Sequence, residues 1–179
     1  RRQACSSAVA DFLFCQMDYV RQAQDAALMT TPDKNGWLPL HHALHSNASL
    51  GAIKLLVKGN PSAVKVADDI AQSFPLHIAC EFSSVDVVKY LLELNDSCLY
   101  YSDSNKNSTM HYACRGGNCA VVRCLLERCA ASVSERNADQ KLPIHLLTEC
   151  GGDKVDKGSS EYVEVIWRLL LAHPETVLH

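Results

Sequence analysis

Leu38-Pro39-Leu40-His41-His42-Ala43 returns as Phe74-Pro75-Leu76-His77-Ile78-Ala79, then as Ser108-Thr109-Met110-His111-Tyr112-Ala113, and last as Leu142-Pro143-Ile144-His145-Leu146-Leu147. From one signature histidine to the next the steps are 36, 34 and 34 residues. A fixed period of that length means one supersecondary unit copied and stacked, each copy burying an apolar face that its neighbour cannot bury alone. Behind each signature lies a second apolar segment, at residues 52–57, 87–92, 121–126 and 165–170. Apolar positions at i, i+3 and i+4 make these segments amphipathic helices. Seven residues further on stands an aligned aliphatic: Val64, Leu99, Val133 and Val177. Six residues before each signature Pro or Thr stands Asp33, Asp69, Asp103 or Asn137, side chains that bond their own backbone at the entry to a tight hairpin. The unit therefore reads turn, short helix, turn, longer helix, with Pro tolerated at the first helical position because its missing N–H would be an orphan there. The fold class is all-α, a solenoid of stacked helix-turn-helix units.

Composition narrows the function. At 47% hydrophobic residues the 179-residue chain can bury a sizeable core. No apolar run approaches the roughly 20 residues that cross a bilayer, so no membrane insertion is expected. Net charge is −3 and the basic residues are scattered, whereas nucleic-acid binders cluster Lys and Arg on one face. There are nine cysteines, an odd number without a CxxC pair, and Cys80 and Cys114 each follow a signature Ala as small packing residues. A reduced, intracellular and cytoplasmic setting follows. Because the chain opens at Arg1 with no signal-peptide pattern, a fragment of a longer protein is expected, continuing past His179.

The unit resembles the ankyrin repeat, whose T-P-L-H-x-A signature opens the first helix of a pair. The resemblance divides the chain into an N-terminal partial repeat or capping helix (1–32, with a second-helix pattern at 11–24), and repeats at 33–66, 67–100, 101–134 and 135–179. Two departures stand out. The capping Thr is replaced by Leu38, Phe74, Ser108 and Leu142, so only Ser108 is expected to cap through its side chain; a lost cap costs about 0.5–2 kcal/mol, which stacking must offset. The hairpin Gly persists only as Gly36, with Gln72, Lys106 and Gln140 elsewhere, so those hairpins are expected to be wider or more mobile. The last repeat carries ten extra residues near 151–160, read either as a loop between helices or as a modification or partner-contact segment offering Ser159 and Ser160.

His41, His77, His111 and His145 look like acid–base groups or ligands. The resemblance implies instead that each is a buried imidazole bonding polar atoms where repeats meet. A zinc site drawn from His77, Cys80, His111 and Cys114 fails because equivalent positions of stacked helices lie roughly 10 Å apart, while zinc needs its ligands within about 2.3 Å. A Cys–His nucleophile pair lacks an exposed, electropositive setting. No catalytic residue, metal or cofactor is expected.

The resemblance implies a non-catalytic protein-protein interaction module, monomeric as a domain, whose partner is another protein held on a concave surface of hairpin tips and first helices. By register the partner-binding candidates are Lys34, Trp37, His45, Ile70, Glu81, Phe82, Arg115 and Lys141. Trp37, Ile70 and Phe82 are large apolar residues at positions that should face solvent, and would form an anchor patch. Alternatively Trp37 folds over its hairpin and Phe82 tucks between repeats. The rival function is a regulatory segment of a larger enzyme or channel, packing within its own chain.

Overall fold

The computed structural model describes residues 29–150 and 158–172. The second-helix pattern at 11–24, the residues 151–157 of the insertion, and Val177 lie outside them. Four helix pairs follow one another: α1 (Pro39–His45) with α2 (Leu50–Gly59), α3 (Pro75–Phe82) with α4 (Val85–Leu94), α5 (Thr109–Gly116) with α6 (Cys119–Arg128), and α7 (Pro143–Cys150) with α8 (Ser160–Ala172). First helices stack on first helices, α1 on α3 on α5 on α7, and second helices form a parallel layer in the order α2, α4, α6, α8. Among the described residues there is no strand, only an isolated bridge between Ser102 and Ser108.

The core follows from the signature. Leu40, Ala43, Leu76, Ala79, Met110 and Ala113 are buried on the first helices, and Ile53, Val88, Leu92, Val122 and Leu125 on the second. Small residues let the short helices approach closely: a Cβ on Gly116 would lie 2.4 Å from the Glu81 carbonyl oxygen of α3. Cys80 and Cys114 are fully buried in the alanine-like places where packing needs small side chains. Val64, Leu99 and Val133 are also buried, in three-residue-per-turn helices at Pro61–Lys65, Asp96–Tyr100 and Ala130–Ser134 that lead each pair into the next hairpin. The sequence pattern marked these aliphatics without revealing that they sit on short helices.

Each hairpin is built on one Asp or Asn side chain. Asp33, Asp103 and Asn137 accept backbone N–H groups two and four residues on, at 2.7–3.0 Å. In the second hairpin this role belongs to Asp68 rather than Asp69: Asp68 accepts from the N–H groups of Ile70, Ala71 and Ser73. That hairpin is one residue wider, closing from Asp68 to Ser73 where the first closes from Asp33 to Trp37. The others keep the standard width. Gln72, Lys106 and Gln140 adopt the left-handed conformation of Gly36, with φ of 55°, 59° and 61°. Strain of about 1 kcal/mol or more per non-glycine residue is accepted, and at Lys106 and Gln140 it leaves the turn unchanged. Successive tips are stitched by backbone bonds, from Asp69 N–H to Asn35 O, Ser104 N–H to Ala71 O and Ala138 N–H to Asn105 O.

Capping departs from expectation. Ser108 makes no side-chain cap bond to the helix backbone. In every pair the histidine at the third helical position caps backwards: Nδ1 of His41, His77, His111 and His145 accepts the N–H of Leu38, Phe74, Ser108 and Leu142 at 2.9–3.2 Å. The missing threonines therefore remove less than the sequence suggested, because the residue before the helix contributes its backbone rather than its side chain.

Gly116→Ala should destabilise the array by about 1–3 kcal/mol, since the new methyl group forces α5 away from the α3 backbone. Gly51→Ala meets nothing nearer than the Ser49 hydroxyl at 3.9 Å. It should stabilise α2 by a few tenths to about 1 kcal/mol through helix propensity. Urea unfolding of both variants against the parent checks the contrast.

Candidate protein-interaction surface

The hairpin tips and first helices share one side of the stack, because each hairpin leads directly into its helix. On α1 the Trp37 ring lies 5.0 Å from His42 and 5.5 Å from His45, centroid to centroid. His45 lies 4.4 Å from the Phe82 ring of α3. Trp37, His45 and Phe82 therefore form one row across the first two helix pairs, with Trp37 and Phe82 half-buried and His45 exposed. Trp37 does fold onto its own helix and Phe82 does contact the preceding one, yet both rings keep accessible surface. Ile70 is 67% exposed at the tip of the wider hairpin, and Lys34 is exposed at the first tip. His42, which the sequence reading passed over, bonds Asp33 at 3.0 Å. The hydrogen bond from the Trp37 N–H, with those from the Asn35 N–H and His42, holds the Asp33 carboxyl below its ordinary range against the opposing effect of desolvation.

A second cluster lies one repeat further on. The Arg115 guanidinium pairs with Glu81 across α3 and α5 and sits 4.3 Å over the Tyr112 ring. Lys141 pairs with Glu149 at 2.6 Å in the last pair, apart from the other candidates. Beneath Arg115 runs a buried polar chain. The Tyr112 hydroxyl donates to Asp103 Oδ2 at 2.8 Å and receives Ser73 Oγ at 2.7 Å. Asp103 Oδ2 also accepts Asn107 Nδ2, and Asn107 Oδ1 accepts Asn137 Nδ2, at 2.9 Å each. Burial first, and then the Asp103 carboxylate, push the Tyr112 phenol up to about 12, so it stays protonated and donating. Sequence reasoning missed this chain. Its signal was Tyr112 itself, a hydroxyl at the variable signature place that holds Ile78 and Leu146 in neighbouring copies.

The signature histidines join the repeats. His41 Nε2 donates to Val66 O, His77 Nε2 to Tyr101 O and His111 Nε2 to Lys141 O, at 3.0–3.1 Å, each acceptor lying in the following hairpin. With Nδ1 accepting and Nε2 donating, both nitrogens of these three rings are engaged within the array, and none is left open to zinc or to a substrate. Burial pushes all three below the ordinary histidine value. His145 is the exception: it makes the Nδ1 bond but its ring is exposed. The expectation of four buried imidazoles is corrected to three, because the described residues place no further hairpin over α7. Burial likewise pushes the Cys80 and Cys114 thiols far up, which removes them as nucleophiles. Ser159 accepts the Tyr162 N–H at the start of α8.

A family model described as ankyrin repeats, in three copies, matches residues 3–101 and 49–137. Over 110 residues the chain is 31% identical to a Caenorhabditis elegans transient receptor potential cation channel subfamily A member 1 homolog, covering 62% of this chain and 9% of that protein. It is 25% identical over 146 residues to the Drosophila melanogaster channel of the same name, covering 79% and 12%. It is 30% identical over 89 residues to alpha-latrotoxin-Lhe1a of Latrodectus hesperus, covering 50% and 6%. The matched segment thus spans between 6% and 12% of the length of these curated relatives.

Tyr112→Phe should lower stability by about 1–3 kcal/mol, because the Ser73 hydroxyl and Asp103 Oδ2 lose a buried partner. Tyr100→Phe, at a ring 72% exposed, should stay within about 0.5 kcal/mol of the parent. Chemical denaturation of the two side by side reads the difference.

Proposed function

Because this chain belongs to the ankyrin-repeat family, we propose that it works as a non-catalytic protein-recognition module whose partner lies on the surface of hairpin tips and first helices. The observation that carries the proposal is the row Trp37–His45–Phe82: large rings held in place, half-buried and still accessible. Interface hot spots favour such aromatic anchors with a polar surround. Lys34, Glu81 and Arg115 supply that surround, Ile70 adds apolar surface at the second hairpin tip, and Lys141 stands further along the array. Rigidity is the mechanism: a surface stitched by tip-to-tip backbone bonds loses little conformational entropy on binding, so contact energy goes into affinity. Arg115 and Glu81 satisfy one another in the free state and orient before a partner arrives.

A second reading has support of its own. Two of the relatives carry the name of cation channels, of which the matched segment is a small part. On this reading the array is a regulatory segment of a larger protein and its concave surface packs against another part of the same chain. In either case the domain acts inside the cell as a monomeric unit, without cofactor. Six free cysteines among the described residues accord with a reducing setting.

Pull-down with the domain and with Trp37→Ala and Phe82→Ala tests the surface. Both substitutions should abolish capture of one shared partner while leaving the thermal midpoint within a few degrees. Capture unchanged in both variants would sink the proposal. Cross-linking within the full-length protein separates the readings: links from Lys34 and Lys141 to its own remaining chain favour the regulatory segment, and links to a separate protein favour recognition in trans.

A further inference from the structure

The joints between helix pairs are not chemically equal. At the first two, the imidazole Nδ1 faces one group only, the N–H of Leu38 at 3.0 Å or of Phe74 at 3.0 Å. At the third, His111 Nδ1 faces the Ser108 N–H at 3.2 Å and the Ser108 hydroxyl at 2.8 Å. An N–H can only donate, whereas a hydroxyl can donate or accept by rotating about its C–O bond. We propose that acid releases the joints at His41 and His77 while the joint at His111 takes up a proton and holds, because only Ser108 can reverse its hydrogen bond.

The physical steps are these. In the neutral ring, Nε2 donates to the next hairpin and Nδ1 accepts, so an added proton must go to Nδ1. At His41 and His77 that proton points at a backbone N–H, donor against donor, in a fully buried site. The bond across to Val66 O or Tyr101 O then survives only if the ring stays neutral. At His111 the Ser108 hydroxyl turns its hydrogen away from Nδ1 towards the carboxyl of Glu135, the neighbouring group able to accept it. The Ser108 oxygen then accepts the new Nδ1 proton, and one backbone bond is lost in place of the joint.

The surrounding charges do not overturn this order. His41 faces Asp33 and His42 from its own hairpin and helix and Asp68 from the next hairpin. His77 faces Asp68 from its own hairpin, Asp103 from the next, and Arg115 from α5, with the Tyr112 ring 5.0 Å away. His111 faces Asp103 and Arg115. Each ring thus has at least one carboxylate near it, and the Nε2 bond to a carbonyl also favours charge. Desolvation outweighs them at all three, so charge is admitted only where a hydrogen-bond acceptor is on hand. The sign follows: the unfolded chain takes up protons below the ordinary histidine value of 6.5 while the folded joints at His41 and His77 do not, so stability is full above that value and falls as pH drops below it.

Imidazole nitrogen NMR of the full chain, with urea unfolding between pH 7.5 and 5.5, tests the proposal. His111 should titrate while the fold is intact, and His41 and His77 should stay neutral until the array opens. The unfolding constant should rise about tenfold for each ring kept neutral, so about a hundredfold over this range. Ser108→Ala should add up to about another tenfold, and Leu38→Ser or Phe74→Ser should each remove up to as much. If either substituted serine disrupts folding, the imidazole titration of the parent chain decides alone. The proposal is overturned if His41 or His77 charges within the folded array, if His111 stays neutral, or if stability is flat across the range.

Discussion

Everything in this array hangs on a neutral imidazole with one tautomer. Each signature histidine reaches backwards to close the start of its own helix. His41, His77 and His111 also reach forwards to a carbonyl of the following hairpin. A single side chain thus satisfies an orphan donor at a helix end and fixes the distance between neighbouring units. Apolar burial supplies most of the stabilisation, but it is non-directional and would tolerate sliding of one helix pair over the next. The two bonds of the ring remove that freedom.

Hairpins present the opposite problem, because backbone polar groups dominate there and a buried loop cannot leave them unpaired. Asp33, Asp68, Asp103 and Asn137 solve it locally, each collecting the inward N–H groups of its own turn. Asp103 goes further, since its second oxygen receives Tyr112 from the helix and Asn107 from the turn. The chain from Ser73 through Tyr112, Asp103 and Asn107 to Asn137 ties three hairpins together beneath the surface on which Arg115 and Glu81 stand. The candidate surface residues Arg115 and Glu81 are positioned by this polar layer as much as by the apolar core.

The stack of helix pairs was legible in the sequence because it is set by period and by the placing of Leu, Ala and His, which act through burial. What the sequence hid depends on hydrogen-bond direction. Leu38 and Phe74 looked like missing caps, since a cap is read from side chains, whereas the bond actually made uses their backbone. Ser108 looked like a cap and instead turns to His111. Asp68 and Asp69 are indistinguishable as turn formers, and only the extra residue before Ser73 decides between them. Gln72, Lys106 and Gln140 suggested altered hairpins. The Gln72 hairpin is indeed wider, whereas Lys106 and Gln140 keep the standard turn because side chains can be forced into the left-handed region when the surrounding bonds over-determine it. On the candidate surface the register placed Lys34, His45 and Ile70 at exposed positions, whereas Trp37, Glu81, Phe82, Arg115 and Lys141 are half-buried. The contacts between Trp37, His45 and Phe82 required knowing how closely α1 and α3 approach.

Among the described residues the tip-to-tip backbone bonds run along one edge of the stack. The other edge, formed by α2, α4, α6 and α8, is held by side-chain packing. Hydrogen bonds weaken steeply with lengthening and misalignment, whereas packed apolar surfaces slide with little loss until they separate. A pull or twist on the array therefore meets a stiff seam and a yielding back. Bending the solenoid would fan its second helices while the seam keeps its length, and a change of curvature would reach the row of Trp37, His45 and Phe82 as a tilt rather than as a change of spacing.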